Sequence, residues 1–261
     1  MLDLTNPLVL TAVSSGVLVG ALLGLFGGGG SVLATPLLLY WVGISDPHVA
    51  IGTSAAAVAV NAALNLAGHA KGGRVKWPCA SVFAVAGLAG SFAGSSVAKL
   101  VGGQQLLLFF AVAMAAIAVS MLRKPRSDGD PGVHLTRALT LKLAPMGVVT
   151  GFAAGFFGIG GGFLIVPGLM AATGMTLANA MASSLVSVSL FGASTSLNYA
   201  LSGQVNWTVA ALFIAGGFVG GQAGVRGAAL LADRATLARR AFAVLVLVVA
   251  AYVAWRASHP G

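Results

Sequence analysis

No Asp, Glu, Lys or Arg occurs in residues 4–45, 47–70, 77–98, 100–122 or 143–225. A charged side chain in hydrocarbon costs a few kcal/mol or more, so uncharged intervals of this length are where a chain can cross a bilayer. A crossing takes about 20 apolar residues. On that measure the spans fall at 8–26, 49–69, 78–98 and 104–122, then at 143–157, 178–199, 208–226 and 241–255. Two apolar pieces, 31–43 and 162–173, are about a dozen residues each, about 18 Å as helix at 1.5 Å per residue, too short to span upright. They read as short or re-entrant helices. Trp41, Trp77, Trp207 and Trp255 stand at segment ends, at the level of the headgroups. The first span follows Asp3 with no basic residue before it, which reads as a retained membrane segment and not a secretory signal.

Composition narrows the function classes. Hydrophobic residues make up 58% and charged residues 7% of the chain, with mean hydropathy +0.97. The net charge of +9 comes in short runs between apolar stretches and not on a solvated face, so nucleic acid is not an expected partner. The partners implied are the lipid bilayer and a small anionic substrate. Cys79 is the only cysteine, and His48, His69, His134 and His259 show no metal-ligand spacing, so no cofactor or metal is called for. An intramembrane enzyme would need a base or metal beside its nucleophile, and the spans hold hydroxyls with no Asp, Glu or Lys among them.

The chain repeats itself. A shift of 131 residues lays Gly16, Gly20, Gly24, Phe26, Gly27, Gly29, Gly30, Leu33 and Pro36 on Gly147, Gly151, Gly155, Phe157, Gly158, Gly160, Gly161, Leu164 and Pro167. A shift of 130 then pairs Ala50, Thr53, Ser54, Gly73, Val75 and Trp77 with Ala180, Ser183, Ser184, Gly203, Val205 and Trp207. The domain reading is a first transmembrane repeat, 1–122, a polar cytoplasmic linker, 123–137, and a second repeat, 138–261. Each repeat has four long segments and one short helix after a glycine-rich break.

Charge sets the relation between the copies, because positive loops stay in the cytoplasm. The loop 70–76 carries Lys71, Arg74 and Lys76 while its copy, 200–206, is uncharged; the loop near Lys99 is almost bare while its copy carries Arg226, Arg234, Arg239 and Arg240. The expected fold is therefore an all-α polytopic membrane protein of two inverted-topology repeats, with both termini on the periplasmic side. Inversion needs an odd number of crossings per half, five if the short helix crosses and three if it folds back; parity leaves both open.

Inverted repeats with broken helices suit a transporter whose substrate sits near the midplane. A helix N-terminus offers unpaired N–H groups and about half a positive charge, and glycine lets an anion approach them. This nominates Gly28, Gly29, Gly30 and Ser31 in the first copy and Gly160, Gly161 and Gly162 in the second. A plainer reading of these glycines is a tight turn with close packing. Thr53, Ser54, Asn61 and Asn65, with Ser183, Ser184 and Thr195, place polar groups inside apolar helices, where they need neighbouring helices or a substrate as partners. The four-residue glycine spacings at Gly16/Gly20/Gly24, Gly147/Gly151/Gly155, Gly90/Gly94 and Gly216/Gly220/Gly224 read as helix-packing faces, and they offer a route to a homo-oligomer.

The pair Gly-Leu-Phe-Gly-Gly-Gly-Gly-Ser-Val-Leu-Ala-Thr-Pro at 24–36 and Gly-Phe-Phe-Gly-Ile-Gly-Gly-Gly-Phe-Leu-Ile-Val-Pro at 155–167 is each followed by a Thr/Ser-Ser and a Gly-x-Val-x-Trp. This pattern resembles the sulfite exporter TauE/SafE family of bacterial membrane transporters, and the likeness covers nearly the whole chain. The resemblance implies a transporter of small sulfur-containing anions such as sulfite, sulfoacetate or other organosulfonates in the inner membrane. Some members export and others import. Ile159 stands where the first copy has Gly28, so the two breaks differ. No carboxylate falls in any expected span, which argues against coupling to a cation gradient and for export. The alternatives are an anion channel and a proton-coupled uptake permease.

Overall fold

The computed structural model describes residues 7–122, 129–158, 162–230 and 235–259. Among the described residues ten α-helices follow one another: α1 (Pro7–Phe26), α2 (Ala34–Tyr40), α3 (Pro47–Lys71), α4 (Trp77–Ala98), α5 (Gly103–Leu122), α6 (Arg137–Phe157), α7 (Gly162–Thr173), α8 (Leu177–Ala200), α9 (Trp207–Leu230) and α10 (Ala235–Ser258). A 3-10 helix, Gly27–Leu33, joins α1 to α2. Among the described residues, eight helical stretches are long and apolar enough to cross a membrane. They fall on the eight spans expected: the first, Pro7–Tyr40, runs on through the short segment, and the others are extended by a few residues into the flanks.

Local chemistry explains the starts. Asp46 Oδ1 accepts from the His48 N–H (2.8 Å) ahead of Pro47, Thr136 Oγ1 from Leu139 N–H (3.2 Å), Thr176 Oγ1 from Asn179 N–H (3.3 Å) and Asn206 Oδ1 from Val209 N–H (3.1 Å). Each supplies an acceptor to a free N–H in a first helical turn. The ends of α1 and α6 share one device: Gly27 (φ +61°) and Gly158 (φ +66°) turn the chain through the left-handed region that glycine adopts without strain.

The short helix of the first half differs from the sequence expectation. It begins as a 3-10 turn over Gly27–Leu33 and becomes α-helical only at Ala34–Tyr40. Four consecutive glycines give the α-helix little propensity to continue. A methyl on Gly30 would collide with the Leu22 backbone, and Leu37 and Trp41 lie beside Leu18, Ser14 and Ser15 in one small cleft. The segment thus runs back along α1. Seven residues of 3-10 and seven of α-helix rise about 25 Å, most of the about 30 Å that the twenty residues of α1 cover, so the segment carries the chain back toward the end where α1 began.

Helix directions follow from which glycines touch which carbonyls. A methyl on Gly16, Gly20 or Gly24 of α1 would meet the carbonyls of Phe213, Gly217 and Gly221 in α9, in the same order. The converse contacts, Gly216, Gly220 and Gly224 on the carbonyls of Val13, Val17 and Ala21, keep that order. In the same way Gly147, Gly151 and Gly155 of α6 sit on the carbonyls of Phe83, Gly87 and Ser91 in α4, with Gly90 and Gly94 on Val148 and Phe152. So α1 runs parallel to α9, and α6 to α4. Asn65 and His69 of α3 reach Gly20 and Gly24, which sets α3 parallel to α1. Against α8, by contrast, Gly52 lies by Tyr199 and Ala55 by Gly192, so α3 and α8 are antiparallel. Two bundles of opposite sense result, α1/α3/α9 and α4/α6/α8, with α5 and α10 packed together outside them. The glycine faces are consumed here, inside one chain, where their small size lets backbones approach.

The ends differ in charge. Lys71, Arg74, Lys76, Arg137, Lys142, Arg226 and Arg240 lie at the end where α1 and α3 finish, whereas Lys99 and Arg256 lie at the other. Arg226 is exposed there, as a side chain reaching for the surface would be.

Candidate anion site at the glycine breaks

The two breaks meet. Gly28 is enclosed: a methyl there would fall 2.5 Å from Val188 Cγ2 and 2.7 Å from the Gly162 Cα, and one on Gly162 would run into the Gly28 carbonyl. The halves therefore touch backbone to backbone, at a spacing only glycine allows. Gly27 and Gly158 make matching contacts, Gly27 against the Met181 carbonyl and Gly158 against Ile51, residues that are 130 apart (181 minus 51).

Hydroxyls line this junction. Gly28 N–H donates to Ser184 Oγ (3.0 Å), which donates to the Met181 carbonyl (2.7 Å). Ser31 Oγ donates to the Gly28 carbonyl at 2.8 Å. Ser54, the copy of Ser184, donates to the Ile51 carbonyl (3.0 Å), pairs with Thr35 Oγ1 at 2.8 Å and lies 3.5 Å from the Gly158 carbonyl. Ser31, Ser54 and Ser184 are fully buried. Among the described glycines of the two breaks, Gly29 is the one with room: the nearest atoms to an added methyl are Phe242 Cε1 at 3.7 Å and Phe26 Cβ at 3.8 Å. Its wall is the stacked pair Phe26 and Phe242, ring centroids 4.5 Å apart. Gly160 and Gly161 lie outside the described residues.

Thr53 and Ser183 play a different part from their neighbours. Thr53 Oγ1 accepts from the Asn206 N–H (2.9 Å) just ahead of α9, and Ser183 Oγ accepts from the Lys76 N–H (2.9 Å) just ahead of α4. Donors and acceptors are each 130 apart (206 minus 76, 183 minus 53). These hydroxyls hold each half to the start of a helix in the other.

The structure keeps Asn61, Asn65 and Thr195 away from the junction. Asn61 follows Ser54 by seven residues, about 10 Å along the helix, and packs against Gly217 with neither amide atom partnered. Asn65 lies against Gly221, its Nδ2 3.5 Å from the Gly20 carbonyl. Thr195 pairs with Ser91 (3.1 Å) on α4. His69, which its sequence position would put at the interface, is buried, with Nε2 donating to the Gly24 carbonyl at 2.9 Å. Sequence reasoning missed Thr35, which stands outside the repeat of hydroxyls because Val166 occupies its copy.

A family model described as sulfite exporter TauE/SafE matches residues 12–253. The chain belongs to the TauE/SafE family. A probable membrane transporter protein of Xylella fastidiosa is 49% identical over 254 residues, 97% of each chain. Another of Methanocaldococcus jannaschii is 33% identical over 160 residues, 58% of each chain, and the YunE protein of Bacillus subtilis, named likewise, is 26% identical over 230 residues, 80% of this chain and 84% of its own. No solved structure matches. The chain is thus a multi-pass membrane protein of a transporter family.

Proposed function

We propose that this TauE/SafE protein exports a small sulfur-containing anion, such as sulfite, sulfoacetate or another organosulfonate, across the inner membrane. The two halves, 1–122 and 138–261, act as inverted copies about the glycine junction, with the linker 123–137 cytoplasmic and both termini periplasmic. The observation that carries this reading is the meeting of two glycine breaks, one from each half, at Gly28 and Gly162 with a buried serine at the Gly28 amide. Opposite running of α1 and α6 supports the inversion, and the cations gathered at one end support the orientation. The family name supports sulfite as the first substrate to test.

The anion is held by backbone and hydroxyl groups freed when the junction parts: the Gly28 N–H, Ser31, Ser54 and Ser184, with the roomier backbone at Gly29 beside them and Gly160, Gly161 and Gly162 as the second copy's share of the site. No cation is carried with it. An inside-negative potential then drives a monovalent anion outward by about 2.3 kcal/mol per 100 mV, roughly a fortyfold gradient.

Proteoliposomes with an imposed potassium diffusion potential test this. Sulfite flux should saturate, follow the potential and ignore a proton gradient. Ohmic conductance would make the protein a channel, and proton-dependent uptake would overturn the direction. Gly29→Ala checks the site: its methyl fits the folded state at ordinary contact distance, so stability should hold while flux falls at least tenfold. Normal flux in this variant moves the site elsewhere.

A further inference from the structure

Lys99 directly follows α4, and its ammonium reaches into the other half of the chain. It donates to the Asn198 carbonyl (3.2 Å), Asn198 Oδ1 (2.7 Å) and Ser202 Oγ (2.9 Å). All three acceptors are neutral, and among the described residues no carboxylate pairs with the ammonium. A lysine at a helix end often does no more than satisfy carbonyls there. That explains the Asn198 contacts and leaves the surroundings unaccounted for.

Those surroundings centre on Tyr199, whose ring lies 6.0 Å from Lys99 Nζ. Tyr199 is fully buried, yet its hydroxyl has no hydrogen-bond partner. His48 stacks on the same ring, centroids 6.2 Å and planes 27° apart, with Nδ1 buried and unpartnered. Gln204, whose N–H donates to the Tyr199 carbonyl at 3.0 Å, holds Oε1 buried and unpartnered. Buried polar atoms without partners are rare in folded proteins and each needs a reason. Among the described residues Asp46 is the carboxylate at this end; it is exposed and accepts from the His48 N–H.

We propose that Lys99 and Tyr199, flanked by His48 and Gln204, form a binding station for a small oxyanion at the end of the bundle opposite the basic loops. The station rests on the reading that the chain carries such anions, and gives them a stopping point beyond the glycine junction. An oxyanion has several acceptor oxygens. It takes the place of Ser202 Oγ as one of the three acceptors of the ammonium, and accepts from the phenol O–H, from His48 Nδ1 in the tautomer that puts the proton there, and from the Gln204 amide turned over to present Nε2. The ammonium supplies charge where three neutral acceptors leave it uncompensated. The repeat adds support. Position 199 corresponds to His69 (199 minus 130), buried near the basic end with Nδ1 likewise unpartnered, so both ends of the pathway hold a buried ring with an open polar atom.

Tyr199→Phe gives a clean test, because it removes only a hydroxyl that bonds nothing in the fold; Lys99→Gln removes the charge. Binding is read as the sulfite-dependent rise in thermal midpoint of purified protein at constant ionic strength, with methanesulfonate as a second probe. Without anion, Tyr199→Phe should melt at or above the wild-type temperature. In both variants the half-saturating sulfite concentration should rise about tenfold or more, the worth of one hydrogen bond to a charged group. Wild-type half-saturation in Tyr199→Phe, or no sulfite effect on the wild type, overturns the station. Vesicle flux separates this from the transport reading. Binding that depends on these residues without any flux leaves the station standing and removes the transporter; flux with unaltered binding in the variants does the reverse.

Discussion

Thr53 and Ser183 offer a test in which the repeat predicts its own energetics. Thr53→Val keeps the shape of a fully buried side chain and removes the oxygen that accepts from the Asn206 N–H at 2.9 Å; Ser183→Ala does the same to the Lys76 N–H at 2.9 Å. Each N–H precedes a helix, and a partly buried donor that loses its acceptor costs about 1–3 kcal/mol, against about 0.5–2 kcal/mol for a lost cap. Their overlap gives about 1.5 kcal/mol per variant, roughly a tenfold shift in the unfolding equilibrium. The two bonds lie at opposite ends of the bundle and share no partner, so the double variant should lose about 3 kcal/mol, additive within about 0.5 kcal/mol. Denaturant titration of detergent-purified protein, following intrinsic Trp fluorescence, measures all three. Loss in one variant with none in the other would refute the claim that the hydroxyls do equivalent work. Strong non-additivity would refute their independence.

The glycine faces predict a sharp contrast. Gly20→Ala drives a methyl into the Gly217 carbonyl and should cost about 1–3 kcal/mol as α1 and α9 separate, whereas Gly102→Ala, with its nearest atom at 4.0 Å, should stay within about 0.5 kcal/mol; equal thermal midpoints for the two would show that the helices do not pack this way. Orientation is checked with Leu201→Cys in a Cys79→Ser background, at a position 75% exposed. An impermeant maleimide should label it in intact spheroplasts, and labelling only after permeabilisation would reverse the topology.

The sequence alone determined the spans, the two-fold repetition and the positions of the breaks. Each is written in local chemistry: charge is excluded from hydrocarbon wherever it falls in the chain, and a run such as Gly27–Gly30 interrupts a helix whatever surrounds it. The helix starts at Asp46 and Thr176, which the structure brought out, are as local, acting on N–H groups two or three residues away. What the tertiary structure decided are matters between residues far apart in the chain. Ser54, Asn61 and Asn65 look alike in sequence, polar groups on one apolar helix, yet only Ser54 reaches a glycine break, since the crossing of α3 over its neighbours sets which turn meets which partner. Parity left the short segment free to cross or re-enter; the collision that a methyl on Gly30 would have with Leu22 shows it running back along α1. Lys99 read as a lone charge in a loop, and became notable only when folding set it 6.0 Å from the ring of Tyr199, one hundred residues later. In an apolar medium nearly every surface is equally greasy, so hydrophobic pattern says that helices are buried but not against what. That choice falls to close backbone packing at glycine and to a few hydroxyls, whose partners lie 100 or more residues away.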